Sequence, residues 1–513
     1  MRTLNSLKNV LGSFANNLFL NLLRFVSRII FVKVLSDVYL GVNGLLSNVL
    51  GLLALSELGI STAISYSLYK PLADKDTNKI KVLMRFYQKA YRVIAFIILI
   101  LGLILVPFLP WFIKDTSGIE NLTFIYLIFL GNMVITYLFS YKRTLITADQ
   151  HNYKITPMLM LSNFLLTIFQ IMVLLIFKNY IVYLLVQSVF VVVENLLVNH
   201  VINKEYPYLK EKVNEKLPKE EFRTIAINVK ALMYHKVGSY VLSASDNIII
   251  SKFIGIVTVG IYSNYVLIVN MINSFITVLI NNVTASFGNL IAKEDSTKSL
   301  KVFNEMNLIC FVLYGIASVC FVNLFTPFIK LFFGEKFVLP IIVVVLISIN
   351  NFLIGLNLAP QTIQSAAGLY NNDRYVPIIQ SALNIVISVA LVFPLGISGV
   401  LLGTLISQFL PVIVKPIIAY RHVFNASVLP YFKNLIKQLF LLLLSIGISY
   451  GLLALIGSHG YFIDIALGLI FSLIITIIIM YFGYCKTKEY KDVKSRILFM
   501  INKFKNRKAE VNG

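Results

Sequence analysis

Residues 461–484 read YFIDIALGLIFSLIITIIIMYFGY, a run of 24 residues with one charged side chain, Asp464. A helix needs about 20 apolar residues to cross a hydrocarbon core about 30 Å thick. Similar runs recur along the 513 residues, of which 58% are hydrophobic and only 13% charged. Soluble domains carry about 25% charged residues. The sequence therefore predicts an all-α polytopic membrane protein.

Fourteen such segments are separated by short polar breaks, and each is predicted to form a transmembrane helix. The predicted helices lie at about 11–35, 40–68, 86–110, 121–141, 156–177, 180–200, 226–251, 258–288, 304–329, 337–360, 376–394, 397–419, 432–456 and 461–484. Two groups of six flank a charged connection, and two helices follow them. The predicted organisation is a bundle at 1–200, a cytoplasmic linker at 201–225, a bundle at 226–425, helices thirteen and fourteen within 426–484, and a basic tail at 485–513.

The positive charge follows the predicted loops. The chain has 45 Lys and Arg residues against 23 Asp and Glu residues, a formal charge of +22. On the predicted map, 34 of these cations fall on the side that holds both termini, and six fall on the opposite side. Cytoplasmic loops are enriched in Lys and Arg, so both termini are predicted to be cytoplasmic. The excess positive charge indicates the orientation of the chain in the membrane, with the basic tail near anionic membrane lipids. It does not indicate binding of nucleic acid.

The two groups of six also resemble each other at an offset of 219 residues. Nine identities occur over about fifty positions, pairing Ile29, Ile30, Lys33, Val38, Gly41, Ser67, Ala73, Asp76 and Lys79 with Ile248, Ile249, Lys252, Val257, Gly260, Ser286, Ala292, Asp295 and Lys298. An even number of crossings separates the copies. The sequence therefore predicts two pseudo-symmetric six-helix bundles around a central cavity, related by an axis along the membrane normal.

Polar side chains inside the predicted helices mark the candidate site. A charge that faces lipid near the bilayer centre costs about 2.5–3.5 kcal/mol, so intramembrane cations are expected to face water, a ligand or a counter-charge. Helices one and seven each place polar residues on one face, and helix eight adds an amide stripe that offers both donors and acceptors. The candidate substrate-binding residues are Asn17, Asn21, Arg24, Arg28, Lys236, Ser243, Asn270, Asn273 and Asn281.

Two acidic residues in the spans have two interpretations. Glu57 and Asp246 are either counter-charges for the buried cations or sites for a coupling ion, H⁺ or Na⁺. Lys230 and Lys415 also lie within the spans, near the cytoplasmic boundary, where a lysine side chain can extend toward water.

Sequence motifs of enzymes are absent. The chain has no GxxxxGK[ST], GxSxG or HExxH motif, and Cys310, Cys320 and Cys485 lack the spacing of a disulfide framework or a metal site. No predicted outer loop exceeds about a dozen residues. We therefore expect a transporter without a metal or a resident cofactor, and not an enzyme.

Four stretches resemble bacterial polysaccharide repeat-unit flippases of the multidrug, oligosaccharidyl-lipid and polysaccharide exporter superfamily. They are YLGVNG (39–44), SELG (56–59), LYKPLADKD (68–76) and SDNIIISKFIGIVTVGIYS (245–263). The resemblance implies a flippase in the bacterial cytoplasmic membrane that moves undecaprenyl-diphosphate-linked oligosaccharide repeat units outward by alternating access for capsular or exopolysaccharide synthesis. It also implies a polysaccharide polymerase and other pathway proteins as partners.

The physical chemistry agrees with such a cargo. Arg24 and Arg28 could bind a diphosphate through forked hydrogen bonds, and amides could bind a glycan. A lipid II flippase has a cargo with the same carrier and diphosphate. A drug or cation antiporter of the superfamily would need an acidic pocket, and a polysaccharide polymerase or ligase usually needs a large outer loop.

Overall fold

The computed structural model describes residues 2–496 and 498, apart from 58–59, 116–117, 212–214, 216, 294–295 and 370–371. It does not describe the side chains of the helical residues 2–17, 56, 62, 224, 227–228, 230–232, 234–235, 278–279 and 281–293. The described residues form fifteen α-helices and no strand. The predicted all-α fold is confirmed.

The helices follow one another with short connections. In chain order they are α1 (Arg2–Val34), α2 (Asp37–Leu53), α3 (Ile60–Ala73), α4 (Thr77–Leu105), α5 (Leu122–Ala148), α6 (Thr156–Phe177), α7 (Tyr180–Glu205), α8 (Lys219–Ile249), α9 (Ile256–Lys293), α10 (Ser296–Phe332), α11 (Ile341–Ala366), α12 (Val376–Leu395), α13 (Ile397–Ala419), α14 (Leu429–Ile456) and α15 (Tyr461–Tyr484). Every predicted segment overlaps one or two of these helices.

Eleven helices in the described part of the chain are long and apolar enough to cross a membrane. The helices α1, α2, α3 and α8 are not among them. These four cover the predicted first, second and seventh spans, which carry Arg24, Arg28 and Lys236 and the two candidate coupling carboxylates. The total of fourteen crossings stays a prediction.

The prediction of one continuous second helix at 40–68 is wrong. The helix α2 ends at Leu53, a 3₁₀ turn covers Ala54–Glu57, and α3 begins at Ile60. A break frees backbone groups that lipid cannot satisfy, so at membrane depth it requires surrounding protein or water. The break places Glu57 at the end of the turn, where two tyrosine hydroxyls reach its carboxylate.

The chain divides into two compact units. Unit 1 comprises Met1–Leu267 and Pro377–Gly403, and unit 2 comprises Ile268–Val376 and Thr404–Gly513. The boundaries fall inside α9 and α13 and at the start of α12. The predicted linker at 201–225 and the two pseudo-symmetric six-helix bundles stay predictions.

The core of unit 1 fixes α4 against its neighbours. Buried side chains of α3, α4, α5 and α7 form one cluster that includes Ile64, Tyr87, Leu145 and Ile202. The Tyr87 hydroxyl donates to the Ile64 carbonyl oxygen at 2.9 Å. Tyr91 lies one helical turn further along α4, so the same packing directs its hydroxyl toward Glu57.

The core of unit 2 is built around α10, which packs mainly against α11, α14 and α15. The Asn323 side-chain amide donates to Ser449 Oγ at 2.9 Å and to Ser472 Oγ at 2.8 Å. Interhelical hydrogen bonds of this kind stabilise helix association where lipid gives no hydrophobic driving force. One buried amide therefore joins α10 to both α14 and α15.

Large apolar side chains are exposed along the outer helices. Examples are Ile176, Phe393, Leu455 and Phe462, each with more than two thirds of its surface accessible. A water-soluble protein rarely exposes so much apolar surface. These helix faces suit contact with lipid tails, which agrees with a multi-pass membrane protein.

Candidate functional site

The two arginines of α1 line a cavity of about 290 Å³ in unit 1, here termed the arginine cavity. Their spacing of four residues places both on one face of α1, as predicted. The cavity lies among α1, α2, α6, α7 and the start of α9, and its lining residues are Arg24, Ser27, Arg28, Phe31, Leu40, Asn43, Asn163, Leu166, Thr167, Gln170, Tyr183, Gln187 and Leu267. Among the described residues, the lining contains two guanidinium groups and no carboxylate.

The two guanidinium groups differ in exposure. Arg24 is exposed, whereas Arg28 is half-buried and its Nη1 donates to Ser263 Oγ at 3.4 Å. An arginine carries five N–H donors in a planar fork, so this one long hydrogen bond leaves most of the Arg28 donors available. The cavity can therefore bind an anion, with phosphate favoured by the geometry of the fork.

An aromatic cluster holds the C-terminal part of α1 against the start of α7. The Phe31 ring meets the rings of Tyr180 and Tyr183 edge-on, with centroid distances of 5.8 and 5.4 Å. Tyr39 of α2 packs on Tyr180 at 4.8 Å. Edge-to-face aromatic pairs contribute about 0.5–1.5 kcal/mol each beyond the area that they bury. The cluster thus fixes the helix that carries Arg28, three residues before Phe31.

A second cavity of unit 1, of about 460 Å³, contains other predicted residues. It is termed the glutamate cavity and is lined by Gly51, Ala54, Leu55, Glu57, Lys236, Ser239, Tyr240 and Ser243. Lys236 and Ser243 are both exposed, and the Ser243 hydroxyl donates to the Tyr240 carbonyl oxygen at 2.9 Å. The structure thus brings Lys236 and Ser243 together with Glu57, in a cavity separate from that of Arg24 and Arg28.

Glu57 also lines a third cavity, of about 440 Å³, that is rich in hydroxyl groups. This hydroxyl cavity is lined by Glu57, Ser61, Ser65, Tyr66, Tyr69, Tyr91, Ser140, Arg143, Thr144 and Thr147. Glu57 Oε1 accepts a hydrogen bond from the Tyr91 hydroxyl, and Oε2 accepts one from the Tyr137 hydroxyl, both at 3.1 Å. Eight hydroxyl-bearing side chains in one cavity provide the donors and acceptors that a sugar requires.

Asp246 lies apart from these cavities, as a buried residue of α8. The neighbouring Ser245 hydroxyl donates to Asn384 Oδ1 on α12 at 2.7 Å. Burial of a carboxylate is unfavourable unless it is compensated, so the surroundings of Asp246 must satisfy its charge or its proton. Within the described residues, no group of three or more His, Cys, Asp or Glu side chains could hold a metal ion.

The predicted asparagines fall in different places. Asn21 is buried on α1 but does not line the arginine cavity. In unit 2, Asn270 is exposed, and the Asn273 amide donates to Asn351 Oδ1 on α11 at 2.8 Å. The side chains of Asn17 and Asn281 lie outside the described residues. Asn273 therefore joins two helices, which is the structural role that a polar stripe often has.

Several polar residues of the cavities were missed in the sequence. Asn163, Thr167 and Gln170 share one face of α6 at spacings of four and three, the same pattern that marks α1. This pattern could have been found. Tyr91 and Tyr137 could not, because their partner Glu57 is 34 and 80 residues away in the chain.

Exposed apolar helix faces around polar cavities are typical of membrane transporters. The family model described as polysaccharide biosynthesis protein matches residues 6–285. The chain belongs to this polysaccharide biosynthesis family. A search of the curated proteins found no match.

Solved structures identify the fold. The structure of the lipid II flippase MurJ in its inward closed conformation matches with a TM-score of 0.68 at 12% identity, over 92% of this chain and 99% of that chain. An inward-facing multidrug resistance MATE family transporter of the MOP superfamily matches with a TM-score of 0.59 at 14% identity, over 77% and 92% of the two chains. A mutant of the Vibrio cholerae MATE transporter VcmN matches with a TM-score of 0.58 at 11% identity, over 83% and 100%.

These matches confirm the predicted fold. All three matched structures are of flippases or transporters. The chain is thus a member of the polysaccharide biosynthesis family with the fold of these flippase and transporter structures.

Proposed function

We propose that the protein is a flippase that moves undecaprenyl-diphosphate-linked oligosaccharide repeat units from the cytoplasmic to the outer leaflet by alternating access. The observation that carries the proposal is the arginine cavity, whose described lining residues include two arginines and no carboxylate. The polysaccharide biosynthesis family and the flippase fold support a lipid-linked cargo. The product would serve capsular or exopolysaccharide synthesis in the bacterial cytoplasmic membrane, with both termini cytoplasmic.

The diphosphate is the part of this cargo that most needs protein contacts. Charged phosphate oxygens lose hydration on leaving the membrane surface, and arginine donors replace it with short charge-assisted hydrogen bonds. Arg24 is exposed and offers the first contact, while half-buried Arg28 offers donors deeper in the cavity. An inside-negative potential also favours outward movement of the diphosphate, by about 2.3 kcal/mol per charge per 100 mV.

The glycan and the prenyl chain have different requirements. Glycan hydroxyls suit the hydroxyl cavity, where Tyr66 and Tyr69 are exposed and form an edge-on aromatic pair at 5.7 Å. The prenyl chain is hydrocarbon and gains nothing by leaving the lipid, so it stays outside the protein while the headgroup moves. A polysaccharide polymerase would be the partner that accepts the delivered repeat unit.

A reconstituted translocation assay tests the proposal. Proteoliposomes would receive undecaprenyl-diphosphate oligosaccharide, lipid II or undecaprenyl monophosphate, each labelled on the headgroup, and a membrane-impermeant reagent would report exposure in the opposite leaflet. We expect protein-dependent translocation of the diphosphate oligosaccharide above the rate in protein-free liposomes. Translocation of lipid II alone would identify the protein as a lipid II flippase, and translocation of neither diphosphate lipid would refute the proposal.

We further propose that Glu57 couples transport to H⁺. Glu57→Gln keeps the size of the side chain but removes the charge that accepts hydrogen bonds from Tyr91 and Tyr137. A hydrogen bond to a charged group contributes about 1.5–3 kcal/mol. The rate in proteoliposomes should fall about tenfold or more, and its response to an imposed pH gradient should disappear.

Tyr137→Phe is the matched control, because it removes one of the two hydrogen bonds and keeps the carboxylate. This variant should keep its response to the pH gradient. An unchanged pH response in Glu57→Gln would exclude Glu57 as the coupling site. Asp246 would then be the second candidate, for H⁺ or Na⁺, to be tested in the same assay with Asp246→Asn and a sodium gradient.

A further inference from the structure

A fourth cavity of unit 1, of about 480 Å³, lies where α4 begins and where α5 and α7 end. We term it the lysine cavity, and its charged lining residues are Lys81, Arg85, Lys142, Lys210 and Glu211. It shares no lining residue with the arginine cavity. The two cavities are therefore distinct.

The charges of the lysine cavity do not balance. Glu211 is the one carboxylate in the described lining, and its Oε2 pairs with Lys81 Nζ at 2.8 Å. Within the part of the chain that the structure describes, no carboxylate pairs with Arg85, Lys142 or Lys210. Three positive charges thus remain around one cavity without an anionic partner.

Lys142 shows this excess most clearly. Its ammonium is half-buried and donates to Asn203 Oδ1 at 2.7 Å and to Asn199 Oδ1, both neutral acceptors. An ammonium has three N–H donors, so one remains for another acceptor. Lys210 lies close enough for its like charge to act on Lys142. Partial burial beside a like charge is unfavourable unless an anion compensates it.

We propose that the lysine cavity binds a phosphate-bearing anion. Arg85 supplies a planar fork that matches two phosphate oxygens, and Lys142 and Lys210 supply point charges. Gln88 and Tyr141 also line the cavity and add an amide and a hydroxyl. Two sources provide this chemistry, the phosphodiester of an anionic lipid headgroup and inorganic phosphate in solution. Basic pockets between helices at the cytoplasmic side of membrane proteins bind lipid headgroups.

Binding of the two sources to the purified protein tests the proposal without transport. One arm measures retention of phosphatidylglycerol against phosphatidylcholine by native mass spectrometry, and the other titrates inorganic phosphate into delipidated protein in detergent. The variants are Arg85→Gln with Lys142→Gln, and Lys210→Gln alone, which alters an exposed residue outside the α-helices. Lys89→Gln is the matched control, because Lys89 is exposed on α4 and does not line the cavity.

We expect wild type and Lys89→Gln to bind at least one probe, and Arg85→Gln with Lys142→Gln to bind it at least tenfold more weakly. A preference for phosphatidylglycerol that this variant loses identifies a lipid headgroup. Binding of inorganic phosphate without a lipid preference identifies a soluble anion. Equal binding by wild type, the double variant and Lys210→Gln, or no binding of either probe by wild type, would overturn the proposal. The Arg24→Ala and Arg28→Ala changes should leave this binding unaltered.

Discussion

Replacing Arg24 and Arg28 together with Ala is expected to abolish translocation of the lipid-linked cargo and to leave membrane insertion intact. The two side chains supply the positive charge of the arginine cavity, and no carboxylate among the lining residues that the structure describes would be left unpaired by their loss. A hydrogen bond to a charged group contributes about 1.5–3 kcal/mol, so loss of two such donors predicts a fall of about 100-fold or more. The translocation rate in proteoliposomes measures this directly, with surface polysaccharide as the cellular readout.

Two further variants separate charge from geometry. Arg24→Lys with Arg28→Lys keeps the charge but loses the planar fork, and it should retain partial activity. Lys33→Ala is the control, because Lys33 is an exposed cation on the same helix outside the cavity. Normal transport by the correctly inserted double Ala variant would show that the arginines do not bind the cargo.

The position of Arg24 and Arg28 on one polar face of α1 could be predicted from sequence, because it depends on their spacing and on the cost of exposing a charge to lipid. A spacing of four residues fixes two side chains on one helix face, and the cost of a lipid-facing charge turns that face toward a polar interior. The same reasoning placed Lys236 and Ser243 on one face of α8. Periodicity does not state which helices meet, so the sequence did not reveal that this face meets Glu57 rather than the arginines.

Side chains that depend on distant partners were beyond prediction. Asn273 belongs to a polar stripe that predicted ligand binding, yet its side-chain amide donates to Asn351 Oδ1 on another helix. A polar residue inside a membrane helix either contacts a ligand or joins two helices, and the two roles leave the same pattern in the sequence. The break between α2 and α3 was missed for a related reason, since Ala54, Leu55 and Ser56 are compatible with a continuous helix.

Two glycines that the offset of 219 residues pairs lie at close backbone contacts. An offset of 219 pairs Gly41 with Gly260, and it also pairs Asp37 with Ile256. In unit 1, a Cβ atom on Gly41 would lie 1.9 Å from the Ile256 carbonyl oxygen, and one on Gly260 would lie 2.7 Å from the Asp37 carbonyl oxygen. The offset therefore relates the two contacts to each other. Gly41 packs against the backbone of Ile256, and its counterpart Gly260 packs against the backbone of Asp37, the counterpart of Ile256. Small residues allow helix backbones to approach this closely.

Gly41→Ala is therefore expected to disrupt the crossing of α2 and α9. The added methyl group would overlap a backbone oxygen, which cannot move aside as a side chain can, so the two helices must separate. Overpacking typically costs about 1–3 kcal/mol and sometimes more. We expect a lower midpoint of thermal unfolding in detergent, at least tenfold slower translocation, and a longer spin-label distance between α2 and α9.

Gly131→Ala is the matched control for this change. Gly131 lies in α5 of the same unit, and a Cβ atom there would meet nothing within 4 Å. Alanine favours a helix over glycine by about 1 kcal/mol, so this variant should be as stable as wild type or more stable. A Gly41→Ala protein with unchanged melting, transport and spin-label distance would show that α2 and α9 do not cross closely in the working protein. Loss of transport with unchanged melting would instead assign the close crossing to a step of the transport cycle.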